Sequence, residues 1–177
     1  MRLFVGLDLP WPIRKQFDRL EDSIPGARWV PEENYHLTLR FVGEVTHAEA
    51  EEIDLALAAL RGKAFDLTFA GVGAFAKAGR ETQLWVGVAR NPALDHLQGK
   101  IEIALQRGGL PPERRRFMPH VTLARLDNAM PQKIAAFMQA HNLFRSAPVA
   151  FDHFTLFSSL LSKEAAVYTA EVDYPLA

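Results

Sequence analysis

The sequence predicts an α+β fold of two pseudo-symmetric lobes. Each lobe holds a mainly antiparallel sheet with helices outside, and a cleft lies between the lobes. Three observations predict it. The tetrapeptide His36-Leu37-Thr38-Leu39 returns as His120-Val121-Thr122-Leu123, each copy inside an alternating apolar run. The order strand, helix, histidine strand, helix, strand occurs twice. The spacing is nearly constant: 84 positions from His36 to His120, and 82 from both Phe69 to Phe151 and Phe75 to Phe157. Two copies of so long a unit are too few for a solenoid and read as an internal duplication.

Taken in order, Leu3 to Leu7 is β-prone. Pro10 and Pro12 open a helix to about Asp22, with Ile13, Phe17 and Leu20 at helical spacing. Pro25-Gly26 marks a turn before the first histidine strand, Tyr35 to Val42, which stops at Gly43. Thr46 with Glu49 three residues on is a capping-box signature for a helix to about Leu60. Phe65, Leu67, Phe69, Val72 and Phe75 suggest one strand bent at Gly71 and Gly73. Gln83 to Ala89 is the next strand. Asn91-Pro92 starts a helix with Leu94, Leu97, Ile101 and Leu105 on one stripe, ended by Gly108-Gly109. The second histidine strand spans Phe117 to Leu126. Met130-Pro131 leads into a helix with Ile134, Phe137 and Met138 inward, and strands follow around Val149 to Phe157 and Ala166 to Val172. No two-residue hairpin turn stands out, so strand order stays open. The whole chain, 1–177, reads as one domain. Its lobes are expected at about 1–80 and 81–177, with strand exchange between them left open.

The composition is that of an ordinary globular protein, 49% apolar with net charge −1. That argues against coating long nucleic acids by phosphate neutralisation, but leaves a chain end or small nucleotide open. With no cysteine, disulfides, thiol nucleophiles and thiolate zinc sites are excluded, and a reducing, cytoplasmic location is expected. Met1 to Leu9 carries Asp8, runs into Pro10 and is too short for a signal peptide. No apolar run reaches the ~18 residues of a membrane span.

Successive strand side chains alternate between faces. His36 and Thr38 therefore share one face, as do His120 and Thr122. Strict alternation adds Arg40 to the first pair and turns Leu37, Leu39 and Phe41 to the core. Histidine changes charge near neutral pH, so two facing imidazoles can supply both a base and an acid. A phosphodiester between them can be attacked by water on one side and lose its leaving oxygen on the other. Hydroxyls and arginines can hold the non-bridging oxygens, and the acid and base leave no task that requires a metal or cofactor.

At this point the chain resembles a known family. His36-Leu37-Thr38-Leu39 and His120-Val121-Thr122-Leu123 are similar to the motifs of the two-histidine (2H) phosphoesterases. The flanks Asn34 to Glu44 and Pro119 to Arg125 resemble the bacterial and archaeal RNA 2′,3′-cyclic phosphodiesterases, formerly called 2′-5′ RNA ligases. Leu3 to Leu7 and Phe157-Ser158-Ser159 suit the same branch. The resemblance implies a bilobal, pseudo-twofold fold. It implies hydrolysis of a terminal 2′,3′-cyclic phosphate to a 2′-phosphate, with His36 as proton donor and His120 as proton acceptor. Substrates would be RNA 3′ ends or tRNA fragments bearing the cyclic phosphate, and reversible 2′-5′ ligation is a further activity of some members. Thr38, Thr122, Arg40 and Arg125 become the expected phosphate ligands. Arg125 matches the family's arginine, yet alternation sets it opposite His120, so the strand must end or bulge before it, or the side chain must curl round.

Other readings stand beside this one. A non-catalytic nucleotide- or RNA-end-binding module fits the same cleft, as does a phosphodiesterase for small cyclic nucleotides. A metallohydrolase using both histidines is weaker, because the histidines come with hydroxyls rather than further ligands. His47, His96, His141 and His153 read as surface or structural. Arg114-Arg115-Arg116 lies before the second motif and is either a solvated loop or a guide for an RNA backbone. Phe41 and Trp85 read as core, and Tyr168 is a candidate to stack on a terminal base. The protein is expected to act as a monomer.

Overall fold

The computed structural model describes all residues, Met1–Ala177. In chain order the elements are β1 (Arg2–Asp8), α1 (Trp11–Asp18), β2 (Ala27–Trp29), a 3₁₀ turn (Glu32–Asn34), β3 (His36–Glu44), α2 (His47–Ala58), β4 (Phe65–Leu67), β5 (Phe69–Lys77) and β6 (Arg80–Val88). They continue with α3 (Pro92–Arg107), β7 (His120–Leu126), α4 (Pro131–His141), β8 (Val149–Phe151), β9 (His153–Leu161) and β10 (Ala166–Pro175).

Two four-stranded sheets form, in the orders β10-β9-β1-β3 and β2-β7-β6-β5, with β4 and β8 as a separate pair. Every pairing is antiparallel. The core of each sheet repeats the other: β9-β1-β3 corresponds to β5-β6-β7. The sheets do not follow the halves 1–80 and 81–177. Strands cross over between the halves: β5 of the first completes the sheet of β6 and β7, while β9 and β10 of the second complete that of β1 and β3. One apolar cluster takes in Leu37 and Leu39 from β3 and Val121 and Leu123 from β7, so the two lobes share a core.

Local signals account for most boundaries. Thr46 and Glu49 form the reciprocal capping box at α2, and the Asn91 side chain accepts from the Leu94 amide to start α3. Helix α1 ends at Asp18, earlier than expected, although Leu20 beyond it is still buried. The run from Phe65 to Phe75 is two strands rather than one, because β4 pairs with β8 while β5 pairs with β6. A two-residue hairpin joins β5 and β6. Lys77 pairs with Arg80, and Ala78 and Gly79 both have positive φ, 53° and 77°. Alanine is a poor residue for that conformation, which is why the turn carries no sequence signal.

Candidate active site

His36 and His120 open β3 and β7, which contact each other between the two sheets. The two rings are anchored alike. Nδ1 of His36 lies 2.8 Å from the Asn34 carbonyl oxygen, and Nδ1 of His120 lies 2.6 Å from the Met118 carbonyl oxygen. A carbonyl only accepts, so Nδ1 carries the proton in both and Nε2 is left for chemistry.

The acceptor for His36 is itself held in place. Buried Arg14 donates from Nε to the Leu9 carbonyl at 2.6 Å and pairs with Asp8. Its Nη1 reaches the carbonyls of Glu32 and Glu33 at 3.1 and 2.9 Å. That fixes the 3₁₀ turn whose last residue is Asn34. Asn34 also donates from Nδ2 to the Ala166 carbonyl at 2.8 Å, tying the turn to β10.

Aromatic rings pack around each imidazole. Phe4 lies 4.8 Å from His36, Tyr168 meets it edge-on at 4.9 Å, and Phe157 stacks on Phe4 at 4.9 Å. Phe4 and Phe157 are buried, yet they stand outside the main apolar cluster. On the other side Phe75 meets His120 edge-on at 4.8 Å, with Trp85 at 6.3 Å. Trp85, expected in the core, is thus part of the site's wall. Its ring lies against Gly73, where a Cβ would come within 2.3 Å of it. Gly73 is therefore explained by close approach rather than by a bend.

Register decides which further residues face the cleft, because directly opposite residues share a face. Phe4 packs on His36, and Phe41 is opposite Phe4. Phe75 packs on His120; Gln83 is opposite Phe75, and Arg125 is opposite Gln83. Phe41 and Arg125 thus lie on the cleft side. A bulge brings each there. In β3 the register slips at Leu39, between the Thr38 and Arg40 pairings; in β7 it slips at Leu123, between Thr122 and Ala124. The extra residue reverses the alternation beyond each threonine.

The bulges send two of the expected ligands to opposite faces. Arg40 is turned to the opposite face and is only 7% exposed. Its Nε donates to Glu102 at 2.8 Å and its other nitrogens reach Glu102 and the carbonyls of Phe41 and Pro111. All three guanidinium nitrogens are committed, so Arg40 holds the loop after α3 rather than a phosphate. Arg125 is exposed on the cleft face, and Thr38 and Thr122 keep the face of their histidines. Phe41, expected in the core, is 52% exposed.

Arg28 was not foreseen. It pairs directly with Arg125 across β2 and β7, on the same face. The three-residue strand β2 carries no alternation long enough to reveal it.

The electrostatics of the histidines follow from this packing. Burial lowers the pKa of His36 to about 4; the Asn34 hydrogen bond opposes that, and the charges of Arg14, His120 and Arg125 add to it. Burial also lowers His120, with the Met118 bond opposing and Arg125 adding. His36, His120 and Arg125 therefore form one electrostatic unit. Both imidazoles are neutral near pH 7 in the free protein. An anion bound among them offsets the positive field and favours the charged ring.

The remaining histidines stay apart from this pair. His47 and His96 are exposed on α2 and α3, His141 packs on Phe137, and His153 pairs with Asp152. No group of three or more His, Cys, Asp or Glu side chains is placed to hold a metal ion. No helix is long and apolar enough to cross a membrane.

Comparison with known proteins decides the family. The model of the LigT-like phosphoesterases matches residues 7–85 and matches again over 86–168. This chain belongs to the LigT-like phosphoesterase family. The double match of this LigT-like chain parallels the duplicated histidine motif. An RNA 2′,3′-cyclic phosphodiesterase of Thermotoga maritima is 32% identical over 174 residues, 95% of this chain and 91% of that protein. A protein of the same name from Aeropyrum pernix is 40% identical over 116 residues, 63% of this chain and 66% of its own length. The crystal structure of E. coli LigT complexed with 3′-AMP superposes with a TM-score of 0.81 at 27% identity. That match covers 99% of this chain and 97% of the other. As a LigT-like phosphoesterase, the chain is a 2H phosphoesterase with a two-lobed α+β fold.

Proposed function

We propose that this protein hydrolyses the 2′,3′-cyclic phosphate at RNA 3′ ends to a 2′-phosphate, by acid–base catalysis between His36 and His120. The observation that carries this reading is the matched anchoring of the two rings. Each Nδ1 is tied to the carbonyl two residues before it, so both Nε2 atoms are reserved for the cleft. The names of the relatives, RNA 2′,3′-cyclic phosphodiesterases, support the same chemistry.

In this reading His120, neutral in the free protein, takes a proton from water as the water oxygen bonds to phosphorus. The bond from phosphorus to the 3′ oxygen breaks, and protonated His36 delivers its proton to that oxygen. The 2′ ester survives, which leaves a 2′-phosphate and a 3′-hydroxyl. Thr38, Thr122 and Arg125 hold the non-bridging oxygens and stabilise charge as it grows there. The substrate's own negative charge lifts His36 from about 4 towards neutrality, so binding charges the acid. Run in the same direction with the 5′-hydroxyl of an RNA end in place of water, the same transfers join a 2′-5′ linkage, and run backwards they cleave it to the cyclic phosphate.

The test is incubation of an oligoribonucleotide bearing a 2′,3′-cyclic end with the protein in EDTA. The expected product is the 2′-phosphate. His36→Ala and His120→Ala are each expected to lower the rate by at least about 10²-fold while the fold survives. A 3′-phosphate product would reverse the assigned leaving group, and activity lost on chelation and restored by zinc would overturn the metal-free mechanism.

A further inference from the structure

We infer that Phe41 and Arg115 form a stacking platform for the base of the terminal nucleotide. This rests on the proposed reading of the cleft as a site for a nucleoside cyclic phosphate. The two bulges place one residue of each histidine strand at equivalent positions on the cleft face. In β7 that residue is Arg125; in β3 it is Phe41. The duplicated unit has thus been made unequal at one position, with a cation in one lobe and an aromatic ring in the other.

Phe41 stands on that face with half its surface in solvent. The apolar cluster of the core does not include it, and Phe4 touches it at 6.3 Å and 50° rather than covering it. What stands over it is the Arg115 guanidinium, 5.9 Å from the ring centroid. That guanidinium is set in position by a chain of contacts from the interior. Arg40 binds Glu102 at 2.8 Å, and Glu102 accepts from the Glu113 amide at 2.7 Å. Glu113 then holds Arg115 through its side-chain Nε at 3.2 Å and its amide at 3.0 Å. Hydrogen bonding to Arg115 keeps the Glu113 carboxyl down at about 2, so the link is ionised at any working pH. Arg40 therefore acts at a distance, by building the loop that carries Arg115 back over Phe41.

An aromatic face on one side and a guanidinium plane on the other accept a flat, polarisable ring. Arg115 is three-quarters exposed. Every base has such a face, so the platform favours nucleotides over base-free phosphodiesters with little choice among bases. Tyr168 is less suited to this task. It is turned edge-on to both His36 and Phe4, at 4.9 and 5.3 Å, and serves to enclose the imidazole.

The experiment compares adenosine 2′,3′-cyclic phosphate with 1-O-methylribose 2,3-cyclic phosphate, which lacks the base. The readout is the ratio of their kcat/KM values in wild type, Phe41→Ala, Phe41→Trp and Arg115→Ala. Phe41→Ala is expected to reduce the preference for the nucleotide by roughly tenfold through KM, and Arg115→Ala by a smaller factor. Phe41→Trp is expected to preserve it, which a merely structural role would not predict. An unchanged ratio in Phe41→Ala, with wild type active on both compounds, overturns the platform alone. A wild-type protein that turns over neither compound nor a cyclic-ended oligoribonucleotide overturns the underlying reading and the platform with it.

Discussion

Arg28 and Arg125 face each other across the β2–β7 ladder, two like charges in register on the wall that carries His120. Neither takes part in an ion pair with a carboxylate. Directly opposed like charges on a sheet are destabilising by a fraction of a kcal/mol. An anion between them removes that cost. Arg28→Gln is therefore expected to raise the thermal midpoint slightly while raising KM for a cyclic-ended oligoribonucleotide. Arg125→Gln is expected to lower kcat as well, since in the proposed mechanism its charge stabilises the non-bridging oxygens as negative charge grows there. Parallel melts and initial-rate curves check this; a variant at Arg28 that loses stability and keeps its KM would count against an anion site.

The pH dependence of the rate offers a second test. In the free protein His36 falls to about 4, chiefly through burial, and must be charged to act as the acid. kcat/KM refers to the free protein, where burial holds both imidazoles below the ordinary histidine value of about 6.5, so its alkaline limb is expected below that value. In the complex the bound phosphate anion raises His36, so kcat is expected to hold to higher pH. Full profiles of both quantities decide the matter, and coincident alkaline limbs would show that the anion does not tune the acid.

Acid stability should carry the same signature. An unfolded histidine titrates near 6.5, while folded His36 titrates at about 4. Between those values the unfolded chain binds a proton that the native protein does not. Native stability therefore falls as pH drops from about 6.5 to about 4, and is unaffected by this group above 6.5. Denaturant melts of wild type and His36→Gln across that window are expected to show a shallower dependence in the variant. Equal slopes would mean that His36 is not held neutral by the fold.

Two glycines should respond in opposite directions to alanine. At Gly73 the new Cβ meets the Trp85 ring at 2.3 Å, in the stack that encloses His120. Gly73→Ala is expected to cost about 1–3 kcal/mol by overpacking and to lower kcat as the ring is displaced. Gly99, inside α3, has no atom within 4 Å of a new Cβ. Gly99→Ala is expected to gain about 1 kcal/mol from helix propensity with kinetics unchanged. Melts of both variants, with rates at saturating substrate, test the assignment.

Much of this arrangement is legible in the primary structure because it is local. The capping box at Thr46 and Glu49, the Asn91 cap and the apolar stripe of α3 depend on residues within a turn or two of each other. The pairing of His36 with Thr38 and of His120 with Thr122 follows from the two-residue period of a strand, and their repetition marks the duplication. What the residues alone left undecided depends on partners distant in the chain. Alternation put Arg40 in the cleft and Phe41 in the core, because a bulge at Leu39 is visible only against its neighbour β1. The same slip at Leu123 brings Arg125 to the side where alternation refused it. Arg28 enters the site through its register with β7, and β5 and β9 change lobes because sheet pairing is a long-range choice. Short-range steric and hydrogen-bonding rules thus wrote the elements and the two imidazoles into the chain. Cross-strand register, which no single segment contains, determined which cations and rings stand beside them.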